Sequence, residues 1–433
     1  MSRHMPLVAA TELGSLAPEI GVVSPPGGAR GGGCTTSGAA PRANAAKPGQ
    51  NGLSIQVESA RLPRRTARRP RPGPIAEACP RSYSEPVSVV PDRAWIRGLP
   101  KAELHVHLEG TLEPELLLVL ADAHGVALPW RDAEAVRAAY AFGNLQEFLD
   151  LYYRGMSVLQ APADFERLAA QALHRAADDG VVHVEYFYDP QGHTARGLDF
   201  AEVTEALLAG LAAAGRARGV TWRLIPNVLR HLPEADALDM LAAAEPWLVG
   251  GRLHGIGLDS SERGNPPEGF ARAFRWAGER GIFRTAHAGE EGPAAYVAAA
   301  VDVLGVDRID HGNHVLDDPA LVARLAARGI GFTVCPLSNL RLCGVSSMAE
   351  HPLGRMMAAG LRVTVNSDDP AYFGGYCVEN LVAVTEALGL GVPELRTLAQ
   401  NSVVVSQLTP AAQARHLAAI EAWCGATGTP PGP

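Results

Sequence analysis

Leu104-His105-Val106-His107-Leu108-Glu109-Gly110 is an apolar run that carries two imidazoles two residues apart. Side chains alternate across a strand with a period of two, so both rings point the same way and can reach one metal ion. A His-x-His pair alone is weak support for a metal site. Three later stretches add to it: His287-Ala288-Gly289-Glu290, Asp310-His311-Gly312 and Asn366-Ser367-Asp368-Asp369-Pro370. Each follows a short β-rich run and precedes a helical pattern.

Working outward from that run, the chain after Arg93 alternates β-rich and helical stretches, the pattern of a parallel sheet with helical crossovers. Eight strands are expected, at 102–108, 181–188, 221–229, 254–259, 282–287, 306–311, 330–335 and 361–367. Helices are expected between them, near 164–178, 200–216, 234–245, 268–279, 294–304, 318–328 and 352–359, with 378–388 after the last strand. Eight such units predict an α/β fold, the (β/α)8 TIM barrel. Extra helices over 113–160 follow the first strand and would form a lid over the C-terminal strand ends, and 394–422 forms one or two helices outside the barrel.

The barrel is expected to occupy residues 93–425. Residues 1–92 are rich in Gly, Pro, Ala and Arg, with runs such as Arg61-Leu62-Pro63-Arg64-Arg65. Such a segment buries too little apolar surface to offset its chain entropy and is expected to be a disordered tail, as are residues 426–433. No apolar region follows the arginines, so they do not read as an export signal. Translation starting near Val87, Val89 or Val90 would leave the tail out altogether.

At 433 residues the chain has room for about three domains, but one barrel absorbs most of it. Hydrophobic residues make up 47%, enough for one large core. Residues 1–90 carry 11 Lys+Arg against 5 Asp+Glu, and the remainder carries 27 against 41. So acidic a body does not suit nucleic acid; a small-molecule ligand is the expected partner, and assembly into a homo-oligomer is left open. No stretch of about 20 uncharged apolar residues is present, so no membrane span is expected. Cysteines 34, 79, 335, 343, 377 and 424 form no Cys-x-x-Cys pair and read as reduced thiols in a cytoplasm.

The chemistry-bearing residues fall at expected strand ends: His105 and His107 on the first, His287 on the fifth, His311 on the sixth, Asp368 and Asp369 on the eighth. Three neutral imidazoles, His105, His107 and His287, with the Asp368 carboxylate suit one Zn²⁺ per chain and leave a position open for water. A metal so held would lower the pKa of bound water to roughly 7. Glu290, three residues beyond His287, is placed to pass a proton without ligating, as general acid/base. A helix-start carboxylate is its plainer reading. His311 is expected to orient the attacking hydroxide and stabilise developing charge. Asp368 and Asp369 precede Pro370 and could simply cap a helix, but two adjacent carboxylates divide labour: Asp368 to metal, Asp369 to substrate.

These motifs occur together and in one order: His105-Val106-His107-Leu108-Glu109-Gly110, His287-Ala288-Gly289-Glu290, Arg308-Ile309-Asp310-His311-Gly312, Cys335-Pro336-Leu337-Ser338-Asn339 and Ser367-Asp368-Asp369-Pro370. On them the chain from about Leu99 to Asn401 resembles the adenosine/adenine deaminase family of metal-dependent hydrolases. The resemblance implies zinc on His105, His107, His287 and Asp368, Glu290 protonating purine N1, His311 beside the hydroxide and Asp369 at N7. Hydroxide then attacks C6 and ammonia leaves.

Asp189-Pro190-Gln191, Asp259 through Pro267, and Ser367 through Tyr376 look like the adenine-using branch. Glu109 stands where adenosine-using members carry Asp facing the ribose, and Ser260 stands where they carry a Gly approaching N3. The implied reaction is adenine to hypoxanthine plus ammonia, as in purine salvage. The alternatives are deamination of adenosine, an N6-substituted adenine or another adenine-bearing metabolite, and more remotely a non-catalytic purine-binding relative. Two-metal hydrolysis through a carbamylated lysine is disfavoured, because Lys101 is the only lysine of the body and lies upstream of the histidines. The His-x-Glu and Pro-Cys-x-x-Cys signature of zinc cytidine-type deaminases is absent.

Overall fold

The computed structural model describes residues 90–427. Residues 1–89 and 428–433, which hold nearly all of the expected tail and chain end, lie outside the described residues. Asp92 starts helix α1 (Arg93–Gly98) by accepting the Trp95 amide at 2.7 Å.

Strands β1 (Lys101–His107), β2 (Val181–Tyr188), β3 (Thr221–Leu229) and β4 (Gly257–Asp259) pair in parallel in that order. β5 (Thr285–Ala288), β6 (Arg308–His311), β7 (Gly331–Val334) and β8 (Arg362–Val365) form the second half. Two backbone seams join the halves. Ile256 donates to Phe283 O at 2.9 Å and accepts from Thr285 at 3.0 Å; His107 donates to Asp368 O at 2.9 Å, and Asp368 donates to His105 O at 3.0 Å. The ring closes as the expected barrel. The fourth strand is shorter than expected: ahead of Gly257, Ile256 forms a single bridge to Arg284 and the His254 amide donates to Leu224 O at 2.9 Å, without a continuous ladder.

Helices cover the outside, as buried parallel strands require. The stretch after β1 contains α2 (Pro114–His124), α3 (Ala133–Ala138), α4 (Leu145–Met156) and α5 (Pro162–Asp178). α4 begins at Asn144, which accepts the Glu147 amide at 3.0 Å while Glu147 accepts the Gly143 amide at 2.8 Å. The expected helix at 294–304 divides into Ala294–Ala299 and a π-helical turn, Ala300–Leu304; the last stretch is two helices, Val392–Val404 and Pro410–Thr427.

Buried charge inside the barrel is paired. Arg308 donates to Glu185 at 2.7 Å and to Leu104 O at 3.0 Å, and Glu185 also accepts from His183 and the Gln407 amide. Burial would raise the Glu185 carboxyl, but Arg308 holds it well below the usual range. Lys101 is spent structurally at the foot of β1, where Nζ donates to the carbonyls of Ile96, Arg97, Leu99 and Asp179. It is far from forming a carbamate bridge.

Candidate active site

The barrel brings His105, His107, His287, His311 and Asp368 together at the C-terminal strand ends, all buried. His105 Nε2 lies 3.2 Å and His107 Nε2 3.5 Å from Asp368 Oδ1, and His107 Nε2 faces His287 Nε2 at 3.2 Å. Burial lowers the basicity of the His107, His287 and His311 rings, the last to about 3, so these imidazoles are neutral. Burial opposes ionisation of Asp368, but the surrounding rings hold its carboxyl well below the ordinary value. An anionic oxygen among neutral ring nitrogens, two of them facing each other, is a donor set that fits a divalent cation such as Zn²⁺.

Buried polar neighbours orient these rings. Thr333 Oγ1 donates to Asp310 Oδ1 at 2.7 Å, so its lone pairs accept from His105 Nδ1 at 3.0 Å, and the bare Nε2 of His105 faces the cluster. Thr285 donates to the other Asp310 oxygen at 2.6 Å. His311 is governed from the opposite side. The Leu353 amide donates to His351 Nδ1, which puts the His351 proton on Nε2, pointing at Asn339 Oδ1 (3.2 Å). Asn339 therefore presents its Nδ2 to His311 Nδ1 (3.3 Å), and the His311 proton sits on Nε2, 3.8 Å from Asp368 and 3.7 Å from Glu290. A ring protonated on that nitrogen donates hydrogen bonds and does not ligate.

His311, Asp368 and Ser260 adopt left-handed backbone at φ 62°, 64° and 75°. Strain of this kind persists only where the surroundings enforce it.

Glu290 and Asp369 flank the cluster, and both line one cavity with it. Burial, then the Asp368 charge, pushes both carboxyls well above the usual range, which favours their protonated forms. Glu290 rides on a loop fixed by Glu262, a buried residue with no role foreseen from sequence. The Glu262 carboxylate accepts the amides of Gly289 at 2.7 Å and of Glu291 and Gly292 at 2.8 Å. Gly110 lets the Asp369 turn approach; a Cβ there would come within 2.6 Å of Asp369 Cα.

The lid expectation holds for α4, whose Leu145, Phe148, Leu149, Tyr152 and Tyr153 line the cavity. Ser260 is in the wall and bonds Tyr153 at 3.2 Å and His231 at 2.7 Å. Glu109, which stands where adenosine-using members carry an Asp facing the ribose, does not line the cavity. It is behind the wall, with Oε1 accepting from His193 at 2.8 Å and from the Asp189 amide at 3.0 Å. Asp189 and Asp259, with no role expected, do line the cavity. Their donor atoms and those of His107 lie within 4.8 Å of one another. Burial raises both carboxyls, Asp259 to about 7. Both lie in stretches that resemble the adenine-using branch, but their spacing alone gives neither an individual role.

A family model described as adenosine deaminase matches residues 100–423. The chain belongs to the adenosine deaminase family. Among curated relatives, a protein named adenine deaminase from Caulobacter vibrioides is 54% identical over 332 residues, covering 77% of this chain and 96% of its own. Another of that name, from Sphingopyxis alaskensis, is 56% identical over 330 residues, covering 76% and 96%. The crystal structure of an adenine deaminase from Arthrobacter aurescens superposes with a TM-score of 0.73 at 47% identity, over 75% of this chain and 99% of that one. An amidohydrolase from Burkholderia ambifaria, solved with bound Zn, superposes with a TM-score of 0.70 at 30% identity, over 77% and 94%. The matched span contains the whole histidine and carboxylate cluster.

Proposed function

We propose that this member of the family hydrolyses a 6-aminopurine, adenine first among them, to hypoxanthine and ammonia. One observation carries the reading: Glu290, its carboxyl pushed above the usual range by burial and the Asp368 charge, sits against a buried metal-type cluster in a cavity at the strand ends. That is the acid an amidine nitrogen needs before water can add to the adjacent carbon.

His105, His107, His287 and Asp368 would hold one Zn²⁺, which supplies water activation and charge stabilisation at neutral pH. Glu290 gives its proton to purine N1 and so makes C6 electrophilic. Asp369 donates from its carboxyl to N7 and fixes the ring. His311 donates its Nε2–H to the incoming oxygen. Of the two hydrogens of water, one ends on N1 and the other on the departing amino nitrogen, and oxygen remains on C6. Tyr152, Phe148 and their neighbours on α4 exclude bulk water, which strengthens each of these interactions.

No described helix is long and apolar enough to cross a membrane. A cytoplasmic place of action fits the unpaired Cys335, Cys343, Cys377 and Cys424.

The test is a panel of adenine, adenosine and N6-methyladenine offered to purified zinc-loaded protein, reading ammonia and loss of the 6-amino chromophore. Adenine is expected to lead. A tenfold advantage for adenosine or the N6-alkyl base would replace it as substrate, and no turnover at all would leave a purine-binding relative.

A further inference from the structure

Two adjacent residues of α4 reach down to the strand ends of one sector of the barrel. Tyr152 donates its hydroxyl to Asp189, just after β2, at 3.1 Å, and Tyr153 bonds Ser260, just after β4, at 3.2 Å. Asp189 is itself anchored. It shares a side-chain hydrogen bond with Asp259 as the partner that holds the proton, and Asp259 accepts from Asn227 at 2.6 Å. The Tyr152 ring is 2% exposed and packs among Phe148, Tyr153 and Tyr372, with ring centroids 5.4, 5.5 and 6.0 Å away. A ring bonded at its tip and packed on its sides cannot swing aside without losing those contacts, so it is a fixed part of the cavity wall. The steps above use it only to exclude water.

The strand order says which edge of the substrate meets that wall. In the function proposed above, N7 is at Asp369 after β8, N1 is at Glu290 after β5, and His311 at the end of β6 stands beside the oxygen that adds to C6. C6 lies between N7 and N1 on the purine perimeter, so this edge of the ring faces β6 and β7. The opposite edge, which carries N9 and N3, faces the sector from β1 to β4, the one that Tyr152 and Tyr153 cover. Around the perimeter N9 follows N7 and N3 precedes N1. N9 is therefore on the β2 side, where Tyr152 meets Asp189, and N3 is on the β4 side, near Ser260.

We infer that the Tyr152 ring stands against N9 and makes the site select a free 6-aminopurine base over its N9-substituted forms, by shape. A hydrogen on N9 leaves the ring where it is. A carbon substituent has to displace it, which breaks the bond to Asp189 and disturbs the packing of α4. The inference rests on the proposed function for the identity of the substrate ring and goes beyond it in naming the residue that limits what N9 carries.

Zinc-loaded wild type, Tyr152→Phe and Tyr152→Ala would be compared on adenine and 9-methyladenine. Binding of hypoxanthine and 9-methylhypoxanthine would be measured by calorimetry on the same proteins. Wild type should prefer the unsubstituted base by about ten- to a hundredfold in kcat/KM, the usual penalty for forcing an extra methyl into a packed site. Tyr152→Phe keeps the ring and should keep a preference of that size. Tyr152→Ala removes the ring and should bring the two substrates within about threefold of each other, chiefly through KM. An equal fall on both substrates in Tyr152→Ala would make the ring a support of α4 alone, and a preference lost already in Tyr152→Phe would assign the discrimination to the hydroxyl; either overturns the inference. The wild-type binding pair decides without any variant: equal affinity for the two hypoxanthines overturns it. Failure of the parent reading looks different, as wild type that binds or turns over neither purine.

Discussion

Asp368 donates its backbone N–H to the carbonyl of His105 at 3.0 Å and places its carboxylate 3.2 Å from the Nε2 of the same residue. The contact that closes the barrel between β8 and β1 is thus also an edge of the metal-type cluster. Metal occupancy should therefore be felt as fold stability. Chelator-treated protein should melt at a lower temperature than zinc-loaded protein. Free Zn²⁺ at a thousand times its Kd should add about 4 kcal/mol, read by calorimetry. An unchanged melting curve would separate the cluster from the closure.

The hydrogen-bond chain from Leu353 through His351 and Asn339 sets the His311 proton. His351→Phe keeps a planar ring and breaks the chain. It should lower kcat by about ten- to a hundredfold with metal content unchanged, since His311 then loses its fixed donor nitrogen. Loss of the metal in this variant would instead make His311 a ligand.

Glu262 gathers three backbone amides of the loop that carries Glu290. Truncation to Ala leaves them without their acceptor, at about 1–3 kcal/mol for each amide that stays buried and unbonded. Glu262→Ala should unfold at distinctly lower denaturant and lose kcat on adenine, and Glu262→Gln should recover part of both. A stable and fully active Glu262→Ala would show that the loop holds itself.

Burial pushes the Glu103 carboxyl up to about 7, although the Ser367 hydroxyl and amide both bond it. Its folded value lies above the ordinary 4.5, so between those two values the folded state keeps a proton that the unfolded chain has lost. The stability contributed by this group is complete below about pH 4.5 and is lost as pH rises through about 7. Glu103→Gln removes that titration. Metal-free variant should therefore lose less melting temperature than metal-free wild type between about pH 5 and pH 8. Parallel curves would contradict the shift.

The strands were readable because parallel barrel strands are buried on both faces and appear as short apolar runs between helical patterns. β1 and β2 needed little more than that. β4 was overextended, since nothing local marks where His254 and Gly255 stop pairing. The histidines and Asp368 were legible because each ends a strand, where the barrel concentrates its chemistry. Glu262, Asp189, Asp259 and the Asp310–Thr333 pair act through contacts with residues distant in sequence, and side chains of that kind leave no periodicity to read. Glu109 was misplaced for a related reason: its partner His193 lies 84 positions away, and only the fold shows that their contact withdraws it from the cavity.

The most direct test titrates Zn²⁺ into metal-free protein while following ammonia released from adenine. Activity should rise from nothing and break at one equivalent per chain, and Glu290→Gln should take up the same single equivalent with turnover lowered by about a thousandfold. Ammonia release from the metal-free protein, or a break at two equivalents, would contradict a single metal held by His105, His107, His287 and Asp368 with Glu290 as the acid.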